Sequence, residues 1–154
     1  MSQIDRTDRR IIAALQRDGR IAVTTLSEAV GLSANAVAER MRRLQRDGVI
    51  TGYRAILSPR ALGLGLTAFC EIKLDRTSAD IFEEFAAAVR EVEAVEECHM
   101  VAGGFDYLLK TRHTDIEAYR AFLSNALLAL PGVRETRTYP VMESVVERGG
   151  AAFS

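Results

Sequence analysis

Residues 33–50 read SANAVAERMRRLQRDGVI, and the fold of the first third of the chain turns on them. Ser33 is an N-cap residue, and Gly48 stands where a helix would end. Between them Val37, Met41 and Leu44 recur at helical spacing and share one face. Asn35, Ala36, Glu39, Arg42 and Arg43 fall on the opposite face, and Arg40 flanks the apolar one. A helix with such a face suits a DNA major groove. Arginine can read guanine or pair with phosphate, while Asn and Glu can read adenine and cytosine. Ala34 and Ala36 permit close approach near the helix start. The competing reading is a solvated helix with Glu39 and Arg43 as an i, i+4 ion pair.

The residues upstream decide between these readings. Ile4, Ile11, Ile12 and Leu15 mark one face of a first helix, with Asp5 or Thr7 as N-cap and Asp18-Gly19 as stop. A short second helix follows Thr24-Thr25, turns Leu26 and Val30 inward and breaks at Gly31. Helix, short helix, glycine turn, helix is the helix-turn-helix pattern. Ser33, Asn35, Ala36, Glu39, Arg40, Arg42 and Arg43 are therefore the candidate contacts to double-stranded DNA. After the third helix, VITGYRAILSP alternates apolar and polar residues around Thr51-Gly52 and predicts a short hairpin, or wing. Arg54 on it is either a phosphate contact or a solvated charge. Ser58-Pro59 marks a boundary between a module at 1–60 and one at 61–154.

The charge follows that boundary. Residues 1–60 carry eleven arginines, no lysine and six acidic groups, a net of +5. Residues 61–154 carry nine basic and fifteen acidic groups, a net of −6. A basic front on an acidic back predicts modules with different partners. The chain is 48% hydrophobic, enough for a core, yet no apolar run approaches the roughly 18 residues of a membrane span. The charged start MSQIDRTDRR lacks the apolar segment of a secretory signal, so a cytoplasmic protein is expected. Cys70 and Cys98 read as buried free thiols, and His99 and His113 are isolated, so no metal and no cofactor is implied.

In the second module, Gly63-x-Gly65-x-x-Ala68 matches a dinucleotide fingerprint only superficially. That fingerprint needs a strand before it and a helix after it, and here a strand follows. A weak internal repeat comes next. ADIFEEFAAAVREVEAVEE (79–97) resembles TDIEAYRAFLSNALLALPGVRE (114–135), each with an early Asp-Ile, a helical apolar spacing and a closing turn. Ile81, Phe85 and Val89 in one correspond to Ile116, Tyr119, Leu123 and Leu127 in the other. Strands are predicted near 66–75, 95–102, 105–113 and 134–145. The order is βαββαβ, a ferredoxin-like antiparallel sheet with both helices on one face, so the whole chain is α+β. Phe69, Val101, Tyr107 and Leu109 are candidates for the uncovered sheet face, which a dimer would cover. Gly103-Gly104 in VAGGFDYLLK suits a two-residue hairpin with positive φ. Equally, it could let a ligand carboxylate reach backbone N–H groups while Asp106 accepts from an ammonium group.

Three stretches, RMRRLQRDGVITGY, ECHMVAGGFDYLLKTR and LPGVRETRTYPVMESV, closely resemble the leucine-responsive regulatory protein (Lrp/AsnC) family over nearly the whole chain. The resemblance implies a winged helix-turn-helix joined to a βαββαβ effector and oligomerisation domain. It implies dimers that assemble further, commonly to octamers, and allosteric sensing of leucine or another amino acid. Effectors of the family sit at interfaces between dimers, near the AGGFD loop and the last strand. Here that points to Met100, Gly103, Gly104, Asp106, Ile116, Thr136, Thr138, Tyr139, Pro140 and Val141. Two other classes remain at this stage. Some tetrapyrrole decarboxylases share the fold, and Tyr107, His99, His113 and Arg112 offer acids and cations for such an enzyme. An assembly module with residual DNA binding is the other.

Overall fold

The computed structural model describes residues 4–147, in two compact units that divide between Ile56 and Leu57. The first unit begins with α1 (Arg6–Arg17). Asp5 is its N-cap: the Asp8 amide donates to Asp5 Oδ1 at 2.8 Å, and the Asp5 amide donates to Asp8 Oδ2 at 3.1 Å. This reciprocal capping satisfies two amides that a helix start leaves orphaned. Next, α2 (Val23–Val30) ends at Gly31, whose φ of 75° is the left-handed conformation that glycine adopts freely. Arg10 of α1 reaches the last carbonyls of α2, at Ala29 and Val30. Ser33 then caps α3 (Ala34–Arg46), accepting from the Ala36 amide at 3.2 Å. Ile11, Leu26, Val30, Val37 and Leu44 form the core of this unit, with Met41 partly buried beside them.

The expected hairpin is not formed among the described residues: 51–58 belong to no strand or helix, and Gly52 lacks the positive φ of a tight hairpin turn. Tyr53, Ile56 and Leu57 are exposed along this segment. The unit is a helix-turn-helix, and its alternating tail has no regular secondary structure.

The second unit is a four-stranded antiparallel sheet with two helices. The elements are β1 (Leu66–Leu74), α4 (Ala79–Arg90), β2 (Val95–Met100), β3 (Tyr107–His113), α5 (Ile116–Asn125) and β4 (Val133–Pro140), and the strand order is β2-β3-β1-β4. This is the expected split βαβ order. Gly63 closes a 3-10 turn before β1, and no helix follows the glycines as a dinucleotide site would require. Cys70 and Cys98 are free, the first buried and the second half-buried.

One sheet face carries Ala68, Cys70, Ile72 and Leu74 of β1 with Tyr107 and Leu109 of β3, all buried against Ile81, Phe85 and Val89 of α4 and Tyr119 of α5. Tyr107 and Leu109 therefore lie on the covered face, contrary to expectation. Phe69 lies on the open face, where it alternates with buried Ala68 and Cys70. The open face is mostly charged: Lys110 and Arg112 bind Glu96, and Glu147 bridges both cations at 3.0 Å.

The internal repeat is also out of register. Asp115 is the N-cap of α5 and accepts from the Ala118 amide, whereas Asp80 already lies inside the first turn of α4. Ile81 is consequently buried while Ile116 is exposed. Gly132 precedes β4 with φ of 72°, and a Cβ there would stand 2.5 Å from Ile81 Cγ1.

His113 ends β3 on the covered face, 5% exposed, against the rings of Tyr119 and Phe122. Its Nε2 has no hydrogen-bond partner among the described residues, and burial pushes its pKa below the ordinary 6.5. The folded state thus favours neutral imidazole. The contribution is full above pH 6.5 and is lost as pH falls from there through the depressed folded value. Urea unfolding at pH 7.5 and 5.5 should show a loss of stability on acidification that His113→Phe reduces, by no more than about 1.4 kcal/mol per pH unit.

Candidate DNA-binding face and effector site

Exposure along α3 selects the groups that can meet a groove. Asn35, Glu39, Arg42 and Arg46 follow one another at i, i+4, i+7 and i+11, a single solvent-facing stripe. Arg42 and Arg46 are 62% and 63% exposed, and Glu39 lies between them, at 3.0 Å from Arg42 and 3.3 Å from Arg46. Arg46, followed by Arg42, holds the Glu39 carboxyl below its usual range. Glu39 does not pair with Arg43, so the expected i, i+4 pair is not the one formed. Ser33 spends its hydroxyl on the helix cap, and Ala36 is half-buried at the helix start.

Arg40 and Arg43 depart from the stripe. Arg43, placed by sequence on the face opposite the core, turns back: its Nη2 is 2.6 Å from Asp8 Oδ2. Arg40 Nη1 is 2.9 Å from Asp8 Oδ1 and 2.6 Å from Asp5 Oδ2. Asp8 is fully buried. The Asp5 carboxyl is lowered to about 2, first by the Asp8 amide and then by Arg40. Sequence reading missed Asp8 and Arg46. The i+11 spacing from Asn35 would have found Arg46. A charged residue inside an apolar stripe, as Asp8 is beside Ile4, Ile11 and Ile12, was the signal for the other.

The ten expected effector residues do not meet in one chain. Ile72 of β1 lies beside both Tyr107 and Thr136, so Thr136, Met100 and the 101–106 loop sit toward one end of the sheet. Ala68 lies beside Pro140, the Val141 amide donates to Thr67 O, and Ile116 follows the opposite end of β3, which puts these residues toward the other end. Four residues of strand separate the two rows, about 13 Å. Thr138 faces the helices, where it bonds the Tyr119 hydroxyl; Tyr139 faces the open side, where its hydroxyl donates to Glu71 Oε1.

Gly103 and Gly104 do not form the expected positive-φ hairpin. They belong to an open loop that Asp106 pins: its amide donates to Ile72 O at 2.9 Å, and its Oδ2 accepts from the Leu74 amide at 2.8 Å. Asp106 thus has one carboxylate oxygen already engaged. A Cβ at either glycine would meet nothing within 4 Å. Gly104 borders an open depression of about 320 Å³ lined by Glu71, Lys73, Phe105, Glu135 and Arg137. Its cations can hold a carboxylate and its carboxylates an ammonium group. The proposed enzyme groups do not cluster: Tyr107 and His113 are buried on one face, Arg112 lies on the other, and His99 is exposed beside Glu97.

Residues 4–45 match the AsnC-type helix-turn-helix domain, and residues 67–151 match the Lrp/AsnC ligand binding domain. The chain belongs to the Lrp/AsnC family of transcriptional regulators. Leucine-responsive regulatory proteins of Salmonella typhimurium and Escherichia coli K12 are each 54% identical to it over 142 residues, 92% of this chain and 87% of theirs. Among solved Lrp/AsnC-like structures, a transcriptional regulator of Neisseria meningitidis in complex with L-methionine superposes with a TM-score of 0.91 at 34% identity, covering 97% of both chains. Escherichia coli AsnC gives 0.88 at 27% identity, over 96% of this chain and 97% of that one. A feast or famine regulatory protein of Mycobacterium tuberculosis, complexed with L-methionine, gives 0.87 at 31% identity over 97% of this chain and 99% of that one.

Proposed function

We propose that this Lrp/AsnC regulator binds operator DNA through the exposed stripe of α3 and that an amino acid bound between protomers modulates that binding. The observation carrying the DNA reading is the stripe itself, with Asn35, Glu39 and Arg42 in line behind the Ser33 cap and Ala36. Residues 1–60 take the DNA and 61–154 take the effector and the assembly contacts. The protein is a regulator and not an enzyme, and it works in the cytoplasm. No helix among the described residues is long and apolar enough to cross a membrane.

The effector site is completed by a second copy, because its candidate residues lie at two ends of one sheet. Met100, Gly103, Gly104, Asp106 and Thr136 come from one end; Ile116, Pro140 and Val141 come from the other, with Thr138 and Tyr139 between. The open sheet face around Phe69 meets its copy in a dimer, and dimers assemble to an octamer. L-methionine or L-leucine is the effector class, as in the relatives.

Light scattering and equilibrium dialysis with labelled L-methionine and L-leucine test this. The native chain is expected to be octameric and to bind one of them. Phe69→Glu, which buries a charge in the dimer face, is expected to give monomers that no longer bind. Monomers that bind as well as the native chain would place the site within one protomer and defeat the interface reading.

A further inference from the structure

We propose that Asp8 is a positioning residue for DNA binding: it grips Arg40 and Arg43 and so fixes the rotation of α3, and those two arginines hold the helix instead of the phosphate backbone. The proposal rests on α3 being the helix that enters the groove.

Asp8 is a carboxylate with no exposure to water, in a helix whose other buried residue is Ile11. A buried charge is tolerated only when its oxygens are fully engaged. Both are. Oδ1 receives Arg40 Nη1 at 2.9 Å, and Oδ2 receives Arg43 Nη2 at 2.6 Å and the Asp5 amide at 3.1 Å. Asp5 closes the arrangement by accepting from Arg40 Nη1 at 2.6 Å and from the Asp8 amide at 2.8 Å. Charge-assisted bonds of this length are short and directional. Arg40 and Arg43 are three residues apart on α3, so two adjacent points of that helix are tied to one point of α1.

The consequence for function is geometric. The apolar contacts of Val37 and Leu44 set the distance of α3 from its neighbours but are non-directional. The two guanidinium bonds set its rotation, and rotation decides whether Asn35, Glu39 and Arg42 face base edges. The exposures agree: Arg40 and Arg43 are 27% and 35% exposed, against 62% and 63% for Arg42 and Arg46. The family-like cluster RMRRLQR thus divides its four arginines into two that hold and two that reach outward.

The test uses the full chain, an operator selected by that chain from random duplex DNA, and poly(dI-dC) as non-specific competitor. Affinities are measured across a salt series. Asp8→Asn is expected to lower operator affinity at least tenfold while affinity for poly(dI-dC) holds or rises, because two cations are released. Arg43→Gln is expected to lower operator affinity with the salt slope unchanged. Arg42→Gln should reduce the slope by about one, the signature of a lost phosphate contact. A structural defect alone would move neither the slope nor the specific-to-non-specific ratio of the folded fraction. An Arg43→Gln slope reduced as much as that of Arg42→Gln would overturn the proposal, as would an Asp8→Asn variant with the native ratio. Should Asp8→Asn melt below the assay temperature, the Arg43→Gln slope decides alone. Failure of the native chain to select any operator would instead count against the reading of α3.

Discussion

Phe85→Ala is expected to lower the stability of the effector unit by about 3–5 kcal/mol. Phe85 is fully buried at the centre of α4, its ring 4.4 Å from that of Tyr107 and in the same cluster as Ile72 and Leu109. Truncation removes the transfer free energy of the ring and leaves a cavity that a sheet and a helix can close only partly. A domain of this size has about 5–15 kcal/mol in total, so the variant would stand near its unfolding threshold. Hydrogen exchange at the β1 and β3 amides reads this unit separately from the helix-turn-helix. Protection of those amides should fall while that of α1 and α3 stays. A loss below about 1 kcal/mol would mean that Phe85 is not packed as described.

Arg42→Ala with Arg46→Ala is the largest change expected in DNA binding. Both side chains are exposed and on one stripe, and Glu39 is their shared partner. Removing two groove or phosphate contacts should weaken operator binding by about 2–6 kcal/mol, from roughly thirtyfold upward. The salt slope should fall by about two. Alanine is a strong helix former, so α3 itself should persist. Glu39, left without cations, would add repulsion toward phosphate, and a further Glu39→Gln change should recover part of the loss. An unchanged slope in the double variant would show that another face of the unit meets the DNA.

Much of this architecture was legible in the sequence because local chemistry dictates it. Gly31 ends α2 as a left-handed residue and Ser33 starts α3 as a cap, and both act on near neighbours. The βαββαβ order followed from runs with period 2 and period 3.6. What sequence periodicity cannot decide is which of two faces gets covered. Tyr107 and Leu109 were placed on the open face, yet the helices cover them, because alternation separates faces without naming the inner one. Arg43 was assigned outward, and its partner Asp8 lies 35 residues earlier, beyond any helical period. The hairpin expected at 51–58 does not form among the described residues for a related reason: an alternating stretch shows readiness to pair, not the presence of a partner strand. For the effector, the residues carried over from the family resemblance scatter over two ends of a sheet in one chain, and the proposed site needs a second copy to bring them together.

The most direct measurement of the central claim is operator affinity of the full chain, with DNA from upstream of its own gene, in the presence and absence of each of the twenty amino acids. A mobility shift at low salt that one amino acid strengthens or weakens by about 5–150-fold is the predicted result, with the same factor recovered when operator is added to an amino-acid titration. A shift that no amino acid alters would contradict effector control. No shift at low salt would contradict the reading of α3 as the DNA-binding helix.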